Sequence, residues 1–340
     1  MSKLLVFFIP IWLILLTFRI ISIGGVDPTY RHQEVEYLSP LKEVFTERAN
    51  QILPSPQSEL LAGIVLGEDK IPYWLKKDLQ RTSTIHLVVV SGQNLSLLAG
   101  FLMGLVYFLG RRLTILIIFL IIPIYAVLTG FQVPVIRAQV MIYLVFGAQL
   151  LGRDQRGIWS LILAGSLMLL LVPHWIFSIS FQLSFMATLG VVLSDNLLPA
   201  FRRVPRIIRE DLVVTISATA LTMPLIAYYF GELSLIGILV NILILWCIPL
   251  IMISGAIILI ISLVSLTLAQ VLAVIPGILL TYFLYIVDFF SDLPFASLNL
   301  GESPLITWIG YYLILFSLFR VLNLKWRLKD NQENLGRQLC

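Results

Sequence analysis

The chain has 340 residues, of which 59% are hydrophobic and only 12% are charged, and its mean hydropathy is +0.96. A soluble globular protein carries roughly twice that charged fraction. The composition therefore excludes a soluble globular protein and predicts an all-α, polytopic transmembrane helical bundle. At about 20 residues for each apolar span, the length holds about ten spans and no additional large catalytic domain.

Residues 1–23 are predicted to be an uncleaved N-terminal membrane anchor, because their apolar run is not followed by a small-x-small cleavage site. Residues 24–85 form a short outer polar and amphipathic segment, 86–323 the membrane domain, and 324–340 a cytoplasmic tail. Further apolar segments, each predicted to be helical, follow at about 86–109, 113–131, 133–151, 157–173, 175–193, 212–230, 234–266, 267–289 and 304–323.

The outer segment has two stretches with helical periodicity, 52–67 and 71–85. The second places Trp74 and Leu75 against Lys77 and Arg81, which is typical of an amphipathic helix lying at the membrane interface.

The loops alternate in charge. Basic loop residues mark the cytoplasmic side, and they are Lys3, Arg111, Arg112, Arg153, Arg156, Arg202, Arg203, Arg206, Arg209, Lys325, Arg327, Lys329 and Arg337. The short loops between them carry His174, Glu232, Asp288, Asp292 and Glu302 and no Lys or Arg. This pattern predicts a multi-pass protein of the cytoplasmic membrane with both termini in the cytoplasm.

The long apolar stretch 234–266 must cross an odd number of times for this topology to hold, yet it is too short for three spans. One crossing with a broken helix is the economical solution. Pro249, which follows Asn241 and Trp246, is the predicted breaking point because proline removes a backbone donor and clashes with the preceding turn. A proline-kinked helix without a transport role is the alternative.

Polar residues at membrane depth are costly unless they face a bundle interior or a wet cavity. Arg137 is the most informative of them, because Arg19 and Arg320 lie near span ends and can reach the headgroups. The other polar candidates are His86, Ser91, Asn94, Gln182, Ser184 and Asn241, and Gly92 and Gly130 belong to the same runs of sequence as these residues and Arg137. Ser, Thr and Asn also serve as ordinary helix-packing contacts in lipid, and this alternative stays open.

The histidines, His32, His86 and His174, share no metal-ligand spacing, and the cysteines, Cys247 and Cys340, form no disulfide framework. No Walker-type glycine loop occurs either. We therefore expect no metal, no cofactor and no enzymatic activity.

Three segments together resemble the ComEC competence family. HLVVVSGQNLSLLAG resembles its H-L-x-x-x-S-G-x-[HN] signature, GFQVPVIRAQVM its G-F-x-P-S-V-x-R-A-x-x-M segment, and SFQLSFMATLG its G-F-Q-L-S-F-x-A-T-x-G segment. The similarity covers roughly residues 52–265. Asn94 stands where the family often has histidine, and Ser180 where it often has glycine.

The resemblance implies a channel that carries single-stranded DNA across the cytoplasmic membrane during natural transformation. The motif positions carried over are His86, Ser91, Gly92, Asn94, Gly130, Arg137, Gln182 and Ser184, and Asn241 and Pro249 complete the candidate DNA path. On the outer face, Lys76, Lys77 and Arg81 are candidates for phosphate attraction and Tyr73 and Trp74 for base stacking.

Full-length relatives add an OB-like DNA-binding domain and a metallo-β-lactamase-like nuclease, and neither is expected here. The resemblance therefore implies a separate nuclease, a separate DNA-binding protein, a cytoplasmic ATPase or helicase, and possible homo-oligomers as partners. Two other functions compete with the channel. One is a secondary transporter of a small anion, which Arg137 would also suit; the other is a noncatalytic membrane scaffold.

Overall fold

The computed structural model describes residues 39–88, 91–130, 132–152, 157–201, 204–301, 307–317 and 320–321. Almost all regular structure in these ranges is helical, which confirms the predicted all-α class. The predicted anchor 1–23 and tail 324–340 lie outside the described residues, as do Arg153, Arg156, Arg202 and Arg203.

The first half of the described chain is an uninterrupted series of helices. In chain order they are α1 (Ser39–Ile52), α2 (Gln57–Leu66), α3 (Tyr73–Arg81), α4 (Ile85–Val88), α5 (Gly92–Met103), α6 (Val106–Leu109), α7 (Arg111–Leu128) and α8 (Val133–Leu150).

The second half adds further helices and a small antiparallel strand pair. The helices are α9 (Gly157–Leu171), α10 (Ile179–Ser194), α11 (Arg206–Phe230), α12 (Gly237–Ile244), α13 (Cys247–Ser262), α14 (Leu266–Leu272), α15 (Val274–Ser291) and α16 (Thr307–Ser317). Short 3-10 helices occupy Pro173–Phe177 and Leu198–Phe201. Strands β1 (Glu232–Ser234) and β2 (Ser297–Asn299) pair with Leu233 opposite Leu298.

Five helical segments among the described residues are long and apolar enough to cross a membrane. They are Gly92–Leu109, α7, α8, the Ile208–Phe230 part of α11, and α15. Helices α12 and α13 pass the same test together and raise the number to six, whereas α2, α9, α10 and α16 are apolar but shorter. Length and composition thus support five or six spans, and the predicted total of about ten is not confirmed.

The predicted break in 234–266 is present. Helices α12 and α13 meet at an angle of 48° across Leu245 and Trp246, and Pro249 is the third residue of α13. Proline has no N–H to donate to the carbonyl of Leu245 four residues earlier, and its ring crowds that carbonyl. The bend therefore precedes Pro249 by one helical turn.

Most of the buried hydrophobic residues form one large group, which we call the main cluster. It joins α1–α5, α7, part of α8, α12, α13 and α15. Helix α2, which the sequence places in the outer segment, lies inside it, with Leu60, Leu61 and Ile64 fully buried. The absence of a side chain at Gly255 on α13 lets Leu61 approach closely, because a Cβ there would lie 2.5 Å from Leu61 Cδ1.

A second, smaller group, the minor cluster, lies where α8, α9 and α10 meet. Its buried residues are Val133, Met168 and Phe181, with Phe185 packed against them. Helices α10 and α11 form the most extensive helix pair in the described structure. Helix α8 contacts α5 and α7 on one side and α9 and α10 on the other, so it connects the two clusters.

Candidate functional site at Arg137

A tight turn between α7 and α8 sets the position of Arg137. Gly130 has a φ of +78°, a conformation that L side chains rarely adopt, and the chain then enters α8 with Pro134 in its first turn. Arg137 follows almost one turn later and faces the interior, with only 7% of its surface exposed.

The Arg137 side chain crosses from α8 to α10, and we call this contact the seam. Its Nη1 donates hydrogen bonds to the Ser184 carbonyl and to Thr188 Oγ1, and its Cζ lies 5.9 Å from the centre of the Phe185 ring. The buried Nε has no hydrogen-bond partner among the described residues. Both acceptors that this guanidinium has among the described residues are neutral.

The start of α5 lies against the other side of the same guanidinium. A Cβ at Gly92 would overlap Arg137 Nη2 and would lie 2.9 Å from the Pro134 carbonyl and 3.2 Å from Ala138 Cβ. Glycine is favoured here because the Pro134 carbonyl belongs to the backbone and cannot turn aside, and because the arginine occupies the space beside it. The structure thus brings Gly92, Arg137 and Ser184, one residue from each family-like segment, together with Thr188; these four residues are the Arg137 site.

Ser91 and Asn94 hydrogen-bond to each other, and Asn94 also bonds to the backbone of α2. The Asn94 Nδ2 donates to the Ile64 carbonyl at 3.3 Å, and its Oδ1 accepts a hydrogen bond of 3.3 Å from Ser91 Oγ. Ile64 lies in the last turn of α2, where helix carbonyls lack partners within the helix. Asn94, which is 1% exposed, therefore ties the start of α5 to the end of α2.

The polar side chains of α10 connect this helix to its neighbours. Gln182 Nε2 donates to the Ile176 carbonyl at 2.9 Å, and Gln182 Oε1 accepts from Tyr229 at the end of α11 at 2.9 Å. Ser184 is buried, and its Oγ has no partner among the described residues. Its carbonyl accepts from Thr188 Oγ1 at 3.0 Å in addition to Arg137.

Asn241 and Pro249 lie on α12 and α13, two helices of the main cluster. Asn241 is 5% exposed, adjoins the fully buried Val240, and has an Oδ1 without a partner among the described residues. Pro249 lines an apolar cavity of about 280 Å³ between α5, α7 and α13, together with Phe101 and Tyr125. The described contacts of the Arg137 site involve neither residue.

The outer candidates lie on α3, away from the Arg137 site. Tyr73 is 84% exposed and Trp74 54% exposed, and Lys77 is exposed as well. Lys76 pairs with Asp69 at 2.8 Å. Tyr73, Trp74 and Lys77 are thus the exposed members of the predicted outer set, whereas Lys76 and Arg81 are half-buried.

The inner side of α3 carries a carboxyl group in an unusual environment. Burial raises the pKa of Asp78 above its usual range; a hydrogen bond from Ser291 and the charge of Arg81 oppose this shift, while Asp288 and Asp292 reinforce it. Arg81 also donates to the Leu293 carbonyl at 3.4 Å. The Arg81 side chain therefore contributes to the contact between α3 and the end of α15.

His86 is exposed on α4 and hydrogen-bonds to the backbone of Ser83. Among the described residues, no three His, Cys, Asp or Glu side chains are grouped closely enough to hold a metal ion. The ion pairs found in this part of the chain, Lys42–Glu68, Lys70–Glu68 and Lys76–Asp69, all lie between residues 42 and 76.

Sequence reasoning missed Thr188, Phe185 and Tyr229. Thr188 follows Ser184 by four residues, a spacing that places both on one face of a helix. That spacing was one available signal for Thr188, and the match of both Phe185 and Thr188 to the family-like segment SFQLSFMATLG was another. The contacts of Phe185 and Tyr229 depend on how α8, α10 and α11 pack, which no local pattern encodes.

The fold and this site define a polytopic helical membrane protein with a buried arginine that joins three helices. A sequence model of the family described as Competence protein matches residues 64–325. Because this match covers well over half of the chain, the chain belongs to that family, which confirms the resemblance to ComEC proteins.

Among curated proteins, the chain is similar to ComE operon protein 3 of Bacillus subtilis (strain 168), with 24% identity over 200 residues. The match covers 57% of this chain but only 25% of the relative, so the chain spans about a quarter of that protein's length. No solved structure is significantly similar to the chain.

Proposed function

We propose that this chain forms a membrane channel that translocates single-stranded DNA across the cytoplasmic membrane during natural transformation. The observation that carries the proposal is the meeting of the three family-like segments at Arg137. These segments lie on α5, α8 and α10, far apart in the sequence, yet Gly92, Arg137 and Ser184 are in contact. If the three segments form one site, then one function accounts for the resemblance of each segment to the same family.

A DNA strand carries one negative charge for each nucleotide, so its path through a membrane needs polar and cationic groups that face inward. An arginine within a span is by default a candidate for such a path. The seam between α8 and α10 is the proposed path, with Arg137 as the cationic group and Ser184 and Thr188 as polar lining. Gln182 stays a candidate on another face of α10, where it accepts from Tyr229 of α11.

Outside the membrane, Tyr73 and Trp74 supply exposed ring faces for base stacking, and Lys77 supplies a charge without a competing ion pair among the described residues. Lys76 and Arg81 are weaker candidates, because Asp69 holds the first and the Leu293 carbonyl accepts from the second. At the cytoplasmic end, Arg209 at the start of α11 is a candidate for receiving the strand.

The proposal assigns no catalytic step to this chain. A nuclease that prepares the strand, an outer DNA-binding protein and a cytoplasmic ATPase or helicase that pulls it are proposed as separate partners, and a homo-oligomeric assembly is compatible with the proposal. The neutral surroundings of Arg137 favour one competing function, a secondary transporter of a small anion. Uptake of radiolabelled phosphate or sulfate into proteoliposomes, abolished by Arg137→Met, would favour that transporter.

The test is uptake of labelled linear DNA by cells of the source organism in which the gene is deleted. The deletion strain is complemented with the wild-type protein or with Arg137→Met at equal membrane abundance. Methionine keeps the side-chain length and removes the charge. We expect the wild type to restore uptake and Arg137→Met to stay at the level of the deletion strain.

Arg320→Met is the matched control, because it makes the same chemical change at an exposed arginine. It should restore uptake fully. Normal uptake in the deletion strain, under conditions where its parent transforms, would contradict the channel and favour the anion transporter or the noncatalytic membrane scaffold.

A further inference from the structure

The first turn of α5 lacks a side-chain cap. Ser91 occupies the capping position, but its Oγ donates to Asn94 Oδ1 at 3.3 Å, and no side chain accepts from the first-turn amides among the described residues. The leading N–H groups of a helix have no partners within the helix and carry the positive end of its dipole. The Asn94 N–H donates to the Ser91 carbonyl at 3.2 Å, so the amides without a side-chain cap are those of the buried Gly92 and the exposed Gln93.

Arg137 adds a full positive charge at the same place. Its Nη2 lies against Gly92, the first residue of α5, and its buried Nε has no acceptor among the described residues. The ion pairs that the described chain forms lie elsewhere. A buried charge is costly without a partner of opposite charge, so two positive groups side by side favour an anion between them.

We infer that Arg137 and the uncapped start of α5 form a binding site for a phosphate group, and that Ser184 and Thr188 hold the arginine when no phosphate is bound. A guanidinium matches phosphate oxygens through two parallel N–H donors, and a helix N-terminus is a common phosphate site. The identification of this phosphate as part of a DNA backbone rests on the proposed function, because free phosphate would fit the same donors.

A bound phosphate and the acceptors on α10 would compete for the same Arg137 guanidinium. In the structure, Nη1 is engaged by a carbonyl and a hydroxyl on α10. A phosphate oxygen carries ionic charge, whereas the carbonyl and the hydroxyl carry only partial charges, so a phosphate attracts the guanidinium more strongly and replaces these acceptors when it reaches the arginine. Thr188 is thus a competitor of the ligand, and its removal should favour phosphate binding.

The test uses the full-length protein in lipid nanodiscs at low ionic strength, with tetrathymidylate, its uncharged methylphosphonate analogue and inorganic phosphate as separate probes. We expect the methylphosphonate analogue to bind weaker than tetrathymidylate by about tenfold or more, and Arg137→Met to weaken tetrathymidylate to the same degree. Thr188→Val should bind tetrathymidylate more tightly than the wild type, which a purely structural role of Arg137 does not predict.

Arg320→Met serves as the charge control and should bind like the wild type. Equal binding of tetrathymidylate and its methylphosphonate analogue, or unchanged binding by a folded Arg137→Met, would overturn the site. Binding of inorganic phosphate that requires Arg137, together with no binding of tetrathymidylate, would support the phosphate site while contradicting DNA as its ligand. Loss of DNA uptake in Arg137→Met with no phosphate-dependent binding would overturn the site and leave the proposed function standing.

Discussion

The main and minor clusters differ in how many hydrophobic side chains they bury and in the polar groups that lie beside them. The main cluster joins many aliphatic side chains, such as Leu60, Ile118 and Ile248, that are fully buried. The minor cluster has three buried hydrophobic residues, and beside it lie Arg137 and Ser184, each with a buried polar atom that lacks a partner in the described structure. Buried polar atoms without a partner in the described structure also occur in the region of the main cluster, at Tyr125 Oη and Asn241 Oδ1, but the buried charge of Arg137 lies at the seam.

This difference assigns separate tasks to the two regions. A buried charge without a partner of opposite charge lowers stability, so a protein keeps one where another requirement outweighs the cost. Helix α8 belongs to both clusters and carries Arg137 to the seam. The main cluster thereby holds the arginine in place while the seam can exchange its partners.

The largest expected effect on stability concerns the packing of α10, which carries Ser184 and Thr188, against α11. A Cβ at Gly190 would lie 2.5 Å from the Ser217 carbonyl oxygen and 2.7 Å from Ala218 Cα, and these backbone atoms cannot turn aside. We expect Gly190→Ala to destabilise the protein by about 2 kcal/mol through overpacking, measured by thermal unfolding in detergent.

The matched control is Gly147→Ala in α8, where a Cβ meets nothing within 4 Å. It should be neutral or should stabilise by about 0.5 kcal/mol, because alanine is the better helix former. Equal stability of the two variants would contradict the close contact between α10 and α11.

Arg137→Met separates stability from function. The substitution removes a buried charge that has no carboxylate partner in the described structure, and the Ser184 carbonyl keeps its hydrogen bond from Thr188. Replacing buried charges by apolar groups of similar size is often neutral or stabilising. We expect the free energy of unfolding to stay within about 1 kcal/mol of the wild type or to rise, although DNA uptake is lost. A large loss of stability would show that Arg137 is chiefly a structural link.

The smallest expected effect concerns Asp78 at the edge of the main cluster. Its raised pKa means that the folded protein binds this proton more tightly than the unfolded chain, so the stability contribution rises as pH falls from neutral toward the ordinary value of 3.8. Asp78→Asn should raise the melting temperature at pH 7 by about one or two degrees. Its advantage over the wild type should shrink as pH falls, and an advantage that grows would contradict the direction of the shift.

Much of the helical framework could be predicted from hydropathy. The segments expected at 113–131, 133–151 and 157–173 are observed at 111–128, 133–150 and 157–171. Apolar runs of that length can satisfy their backbone groups in lipid only as helices, so the pattern leaves few alternatives. The break near Pro249 was predictable for a similar reason, since the effect of proline on a helix is local.

The position of α2 could not be predicted in the same way. Its 10 residues are too few to cross a membrane, and the sequence indicates only helical periodicity within an outer segment. Burial of Leu61 depends on Gly255, nearly 200 residues later in the chain. The partners of Arg137 are equally non-local, so the sequence indicated that this arginine needs an acceptor without identifying Thr188.

Site-specific photocrosslinking tests the central claim, that the strand passes the Arg137 site, most directly. A photoreactive phenylalanine analogue is placed at Phe185, whose ring faces the Arg137 guanidinium, or at Ile278, which is 65% exposed on α15. Cells that take up one labelled strand are then irradiated. The account predicts that the strand crosslinks at position 185 and not at position 278. Uptake by the Phe185 variant without a crosslink there would contradict it.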